Sequence, residues 1–288
     1  MKVGFLDHHL NNYHANKFHA LLTGEVGKEA GGVEIVAAWE SHPEGDDWCA
    51  AKGVYRASSA AEVVEKSDAI LILAPDNTEV HLALAGEALT SGKPLFFDKA
   101  LASTLEDSRE IIRRAQEHKT PFMSASSLRF SVELEELLGR IGDRPIDGIF
   151  SRGFARWRGY SVHTISPAIR LLAGDRVKRV IDTSKGGPAR LVTLDTASGR
   201  RVYIEVRESE NQYEATPWQV GVLVEGRYEV VTVSKFDEFY ANLMRQVVRF
   251  FQTRQSPVPV EEQIEILAVE LAAEESVQKG SQWVDVTI

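Results

Sequence analysis

Five short apolar runs punctuate the first 125 residues, and stretches with helical periodicity separate them. The runs are Lys2–Leu6, Val33–Trp39, Ala69–Leu73, Pro94–Phe97 and Pro121–Ser124. The helical stretches fall at roughly His14–Thr23, Ala60–Lys66, Glu79–Ser91 and Leu105–His118. This alternation specifies a parallel sheet covered by helices on both faces. Ser59-x-x-Glu62 and Ser103-x-x-Glu106 read as capping boxes that open two of the helices. Residues 1–125 are therefore expected to form an α/β domain with a doubly wound parallel sheet.

After Arg129 the rhythm changes. Short helices are expected at about Val132–Ile141 and His163–Leu172. Between and after them the pattern has period two: Val202, Ile204 and Val206 share one side, while Tyr203, Glu205 and Arg207 share the other. Trp218, Val220, Val222 and Val224 repeat it. Strands without intervening helices imply an open-faced, mostly antiparallel sheet, so residues 126–288 are expected to form a second, α+β domain. The Trp218 series is expected on the sheet's outer face, where an apolar surface of that size pairs with a copy of itself as a homodimer or homotetramer. The apolar positions Phe236, Phe239, Tyr240, Leu243, Met244, Val247, Val248 and Phe251 mark a core-facing helix. Pro257-Val-Pro259 breaks the chain before a last helix, Glu261 to Lys279.

Composition sets the outer limits. A formal net charge of −9 argues against nucleic acid and against an anionic membrane surface. No apolar run approaches the ~20 residues of a membrane span. With the first strand beginning at Met1-Lys2-Val3, no signal peptide is expected. The lone Cys49 allows no internal disulfide and suits a reducing, cytoplasmic setting.

The stretch Gly92-Lys93-Pro94-Leu95-Phe96-Phe97-Asp98-Lys99-Ala100 carries the strongest functional signal. A strand there ends in an acid and a lysine, at the edge where parallel sheets bind ligands. A lysine so placed can donate to a substrate hydroxyl or stabilise an alkoxide. Upstream lies Asp68-Ala-Ile-Leu-Ile-Leu-Ala-Pro75 followed by His81, and downstream Ser126-Ser127-Leu128-Arg129-Phe130. In order and spacing these segments resemble the Gfo/Idh/MocA family of NAD(P)-dependent oxidoreductases. That family has a strand ending in Glu-Lys-Pro where this chain has Asp98-Lys99-Ala100.

The resemblance implies a Rossmann-type first domain that binds NAD. It also exposes a departure. The three fingerprint glycines of the first strand–helix turn would fall at Asp7, His9 and Asn12. Glycine permits close backbone approach to a diphosphate, and Asp7 would oppose it by about 1 kcal/mol or more. His8 and His9, if protonated, offset that charge. Glu40 ends the second strand, where an acid accepts from ribose hydroxyls and favours NAD over NADP. Ala74, Pro75 and Asn77 lie in the loop that, in the family, passes beside the nicotinamide ribose; Asn77 or Thr78 is also a candidate helix cap. Asp98 and Lys99 complete the expected cofactor set. His9, His14 and His19 are five residues apart, which turns about 140° per step on a helix. They share no face, and no metal is expected.

For a small-molecule substrate, Tyr160-Ser161-Val162-His163-Thr164-Ile165 matches the family's Asp-x-x-x-His segment around the histidine. His163 inherits the acid/base role and Lys99 the role of polarising the substrate oxygen. The family's aspartate would fall at Gly159. Arg129, Arg156 and Tyr160 are candidate substrate contacts, with Arg156 and Arg158 alternating along a strand. The expected activity is NAD-dependent oxidation of a polyol, sugar or related hydroxy compound. Two alternatives follow from the departures: a non-catalytic ligand-binding relative, and an NAD-assisted lyase or glycosidase.

Overall fold

The computed structural model describes residues 1–185, 187–208 and 217–288. The chain divides into two compact units, 1–125 with 240–263 and 126–239 with 264–288.

The first unit holds a six-stranded sheet: β1 (Lys2–Asp7), β2 (Glu34–Glu40), β3 (Tyr55–Arg56), β4 (Ala69–Ile72), β5 (Leu95–Phe97) and β6 (Phe122–Ser124). The order is β3-β2-β1-β4-β5-β6 and every pairing is parallel. The order reverses direction at β1, so the crevice beyond the carboxyl ends of β1 and β4 is where such a sheet takes a ligand. One side of the sheet buries Leu6, Ile70, Ile72, Leu95 and Phe97 against Leu84, Leu89, Ile111 and Ala115.

Two helix expectations are corrected here. The stretch Glu79–Ser91 forms no continuous helix; it breaks into a 3-10 turn at Thr78–Val80, a short helix at His81–Leu84 and another 3-10 turn at Ala88–Thr90. Gly86 lies at the break, and glycine costs about 1 kcal/mol within a helix. The helix Leu105–Glu117 is capped by Thr104 rather than Ser103. Thr104 is extended and its Oγ1 accepts from the Asp107 N–H at 3.0 Å, a capping pair one residue later than the Ser103 reading. Ser59 does cap Ala60–Lys66, accepting from the Glu62 N–H at 3.2 Å.

Tyr240–Gln263 belongs to the first unit, so the second does not run unbroken over 126–288. The reason lies in what Tyr240 meets: its ring sits 5.6 Å from His14 and 6.2 Å from Phe18. Arg245 pairs with Glu29 at 2.8 Å and Arg254 donates to the Gly92 carbonyl at 2.6 Å. Periodicity identified this helix, Phe236–Thr253, as a core helix without saying which core.

The second unit has, among the described residues, a seven-stranded sheet. Its strands are β7 (Gly148–Phe154), β8 (Val177–Asp182), β9 (Ala189–Thr196), β10 (Arg201–Arg207), β11 (Gln219–Val224), β12 (Arg227–Thr232) and β13 (Val284–Asp285). The order is β12-β11-β7-β10-β9-β8-β13, antiparallel except for β7 with β10. The face assignment is corrected: Val220, Val222 and Val224 are 2% exposed or less and face the core. The open face carries Leu191, Tyr203, Tyr228 and Val230, each 46% exposed or more. Period two separates two sets of side chains but cannot say which set meets the core. Arg156 and Arg158 are not on a strand either. β7 ends at Phe154, Ala155 adopts a φ of +83°, and both arginines lie in the turn that follows.

Candidate active site

In the first unit the polar residues collect where β1, β2, β4 and β5 end. Asp7 closes β1 and is fully buried. Its Oδ1 accepts from the N–H groups of His8 (2.7 Å), His9 (3.3 Å) and Ala74 (2.9 Å), and its Oδ2 from Asn12 Nδ2 (2.8 Å). The carboxyl thus faces inward and ties the β1 loop to the β4 loop, where glycine would leave a gap. Burial pushes Asp7 up to about 7 against the pull of those four donors.

The folded protein holds this proton more tightly than the unfolded chain, so its stabilising contribution is greatest below about pH 4 and is lost as pH rises to about 7. Asp7→Asn is expected to gain on the wild type across that window by at most about 1.4 kcal/mol per pH unit, then run level. Urea melts at several pH values measure it; a constant difference from pH 5 to 8 would show Asp7 ionised throughout.

Glu40, buried at the end of β2, has both oxygens engaged. Oε2 accepts from the Leu10 N–H at 2.7 Å and Oε1 from Arg56 Nη1 at 2.9 Å. Asn12 caps the helix Tyr13–Thr23, accepting from the Ala15 N–H at 2.9 Å. Ala74, at a φ of +54°, turns the β4 loop. Asn77 does not cap the turn after it; its Nδ2 donates to Glu79 at 3.1 Å.

Asp98 and Lys99 follow β5, and both are buried. Lys99 Nζ donates to the Pro75 carbonyl at 2.7 Å, which fixes the ammonium against the β4 loop. Asp98 Oδ1 accepts from the Lys99 N–H at 2.8 Å and Oδ2 lies 2.5 Å from His14 Nδ1. Burial alone would raise the Asp98 carboxyl; His14 and Lys99 more than offset it and hold it below the ordinary carboxylate value. From sequence alone His14 is only a possible metal ligand, because nothing local links it to a residue 84 positions away. Among the described residues no cluster of histidine, cysteine or carboxylate side chains is arranged to hold a metal ion.

The second unit gathers a separate group. His163, 8% exposed, lies on the helix Val162–Leu172 with its Nδ1 2.8 Å from Ser126 Oγ. The rings of Tyr160 and Trp218 lie 5.6 and 5.9 Å from it. The Arg156 guanidinium stacks over Tyr160 at 4.9 Å. A Cβ on Gly153 would come within 2.4 Å of Trp218, so glycine there lets the indole seat against β7. Arg129 is buried in the 3-10 turn Ser127–Phe130. At Gly159, where the resemblance expects an acid, a carboxylate arrives from elsewhere. Glu270 approaches the Gly159 N–H at 3.3 Å, accepts from Ser161 Oγ at 2.5 Å and pairs with Arg158 at 3.3 Å. Burial raises the Glu270 carboxyl despite Ser161 and Arg158. Glu270 lies 109 residues beyond Ser161, and no sequence signal connects them.

A 3-2-1-4-5-6 parallel sheet with its polar residues at the carboxyl edge defines a Rossmann-type dinucleotide-binding domain. Residues 4–126 match the profile described as "Oxidoreductase family, NAD-binding Rossmann fold". Residues 4–126 thus carry the NAD-binding domain of the Gfo/Idh/MocA oxidoreductase family. No curated protein matches the sequence.

Among solved structures, GenD2 from gentamicin A biosynthesis, in complex with NAD, superposes with a TM-score of 0.83 at 11% identity, covering 100% of this chain and 97% of that one. Myo-inositol dehydrogenase from Lactobacillus casei, in complex with NAD(H) and myo-inositol, gives 0.80 at 16%, with the same coverage. A myo-inositol dehydrogenase from Corynebacterium glutamicum gives 0.81 at 14%, covering 100% and 99%. At these identities the likeness is one of fold.

The residues present fit a dinucleotide with one substitution of means. Asn12 caps the first helix, accepting from the Ala15 N–H, and the first-turn N–H groups that a helix leaves without intrahelical partners suit a diphosphate. The inward turn of Asp7 keeps its carboxyl bonded beneath the loop.

Proposed function

We propose that this chain is an NAD-dependent oxidoreductase that passes hydride between nicotinamide and a hydroxyl-bearing carbon of a polyol, sugar or related compound. The observation that carries this reading is the buried strand-end pair Asp98-Lys99, with Lys99 Nζ held by the Pro75 carbonyl and the Asp98 charge held by His14. The inositol dehydrogenases among the similar structures support the substrate class. The cofactor, when bound, supplies the hydride acceptor. Lys99 donates to the substrate oxygen and steadies the developing alkoxide. His163, in the tautomer that donates from Nδ1 to Ser126 Oγ, presents Nε2 as the base that takes the hydroxyl proton. Arg129, Arg156 and Tyr160 are assigned to substrate contacts, and Glu40 to the adenosine ribose. The single buried Cys49 supports a reducing, cytoplasmic compartment.

Isothermal titration with NAD, NADH and NADPH, followed by a polyol and sugar panel read at the nicotinamide absorbance, tests the reading. Absence of binding at millimolar cofactor would favour a non-catalytic relative, the reading that the glycine-free loop supports. His163→Ala is expected to lower the rate about 10²-fold or more; an unchanged rate would remove it from proton transfer.

We also propose a homodimer or homotetramer through the open face that carries Leu191, Tyr203, Tyr228 and Val230. Light scattering at micromolar concentration should give at least twice the 32.0 kDa chain mass. A monomer would overturn it. Among the described residues no helix is long and apolar enough to cross a membrane.

A further inference from the structure

Three imidazoles that the hydride chemistry does not use meet beyond β1 and β2. His8 and His9 follow β1, and His42 follows β2. Their ring centroids are 4.2 Å (His8–His9), 5.4 Å (His8–His42) and 5.2 Å (His9–His42) apart. Parallel pairing of β1 with β2 brings His42 alongside the other two: the His42 N–H donates to the His8 carbonyl at 3.0 Å.

The hydrogen bonding of His9 fixes what this cluster can do. His9 Nδ1 lies 2.6 Å from the His42 carbonyl. A carbonyl only accepts, so Nδ1 carries the hydrogen of the neutral ring and Nε2 is a bare lone pair. A lone pair repels a phosphate oxygen, and the ring serves an anion only after gaining a second proton. His8 is held through Nδ1 to Ser41 Oγ at 2.8 Å.

The carboxylates that face the cluster are few. Glu44 is 3.4 Å from His42 and 3.7 Å from His9, and Glu79 acts on His8 from the β4 side. Asp7 is bonded inward beneath the loop, and Glu40 is taken by Leu10 and Arg56. Burial, followed by the charges of His9 and His42, holds His8 below the ordinary histidine value. An incoming anion reverses this balance, since negative charge within a few ångströms favours imidazolium.

We propose that His8, His9 and His42 form a proton-coupled site for the diphosphate of the dinucleotide, replacing the glycine cradle with imidazolium donors. This rests on the reading that a dinucleotide binds at the β1 loop. Negative charge and ring protons enter together, so binding strengthens as pH falls.

The test is titration calorimetry of the full chain with NAD⁺, ADP-ribose and adenosine, in phosphate-free buffers of low and high ionisation enthalpy, from pH 6 to 8.5. Expected is net proton uptake with NAD⁺ and ADP-ribose, none with adenosine, and affinity that weakens up to about tenfold per pH unit for one coupled proton. His9→Gln and His42→Gln should flatten that slope. Asp7→Asn should leave it, since the imidazoles and not the carboxyl take the proton. In the wild type, histidine proton resonances should titrate at higher pH once pyrophosphate is added. NAD⁺ binding without proton uptake and at constant affinity would overturn the inference and leave the cofactor reading standing. So would uptake that disappears in Asp7→Asn but persists in the histidine variants. No NAD⁺ binding at millimolar concentration and pH 6 would overturn the cofactor reading itself and the inference with it.

Discussion

Replacing Lys99 with alanine is expected to abolish measurable turnover while cofactor affinity stays near that of the wild type. The ammonium is the only part of the side chain assigned to chemistry, and its work begins as charge builds on the substrate oxygen. Deleting one such donor from a preorganised site typically lowers kcat about 10²–10³-fold. The structural cost is smaller. The one contact removed for certain is that from Nζ to the Pro75 carbonyl, and an acceptor left unpaired costs about 1–3 kcal/mol. Lys99→Met keeps the length of the stem and separates packing from charge. Steady-state kinetics on any substrate found active, with cofactor affinity by titration and folding by circular dichroism, checks the prediction. A variant with wild-type rates would remove Lys99 from the mechanism. A variant that loses cofactor binding would assign it to the dinucleotide instead.

His14→Ala is expected to destabilise the fold by about 3 kcal/mol or more, because it strands a buried charge. Asp98 is 1% exposed and keeps its negative charge through His14 and the neighbouring Lys99 N–H. In the wild type the Asp98 carboxyl sits below its unfolded value. Its contribution to stability is therefore present above the unfolded carboxylate range, near pH 4, and is lost as pH falls through the folded value. Without His14 the desolvation that is now outweighed prevails, the folded value rises, and the sign inverts: the variant should recover stability as pH falls. Adding Asp98→Asn to His14→Ala should restore part of the loss at pH 8, since a neutral amide is cheaper to bury than an unpaired carboxylate. Denaturant melts of the single and double variants at pH 5 and pH 8 measure both effects. Equal stability of wild type and His14→Ala at pH 8 would mean that solvent or another cation compensates Asp98.

How far the sequence could be read depended on whether each property is local. Five of the six strands of the first unit were legible because apolar runs bounded by helices have no other use at that length; the two-residue edge strand Tyr55–Arg56, exposed and without an apolar run, was not. The helix Ala60–Lys66 was legible because its cap lies within its own turn. Lys99 stood out as a charge at the end of an apolar strand. Four features were not legible. Period two sorted Val220 from Leu223 without revealing which faced the core. The helix Phe236–Thr253 showed its apolar stripe but not its partners, Phe18 and His14, more than two hundred residues earlier. The partners of the site residues — His14 for Asp98, Arg56 for Glu40, Ser126 for His163 and Glu270 for Ser161 — are set by tertiary packing, and each pair is 16 to 109 residues apart. The Gly-rich fingerprint was legible as missing, but not the inward-turned carboxylate that fills its place.

The split of the first unit along the chain has a consequence for biosynthesis. Its sheet is fully translated by residue 125, yet the unit is completed only by residues 240–263. While the ribosome makes the intervening segment, Phe18 and His14 lack the ring of Tyr240, and the Gly92 carbonyl lacks Arg254. The nascent dinucleotide-binding unit therefore lacks this segment until residue 263 has been made. That interval is when holdase chaperones would find apolar surface to bind. A gene fragment ending at residue 125 would reproduce it permanently, yielding a sheet that never receives its last covering segment.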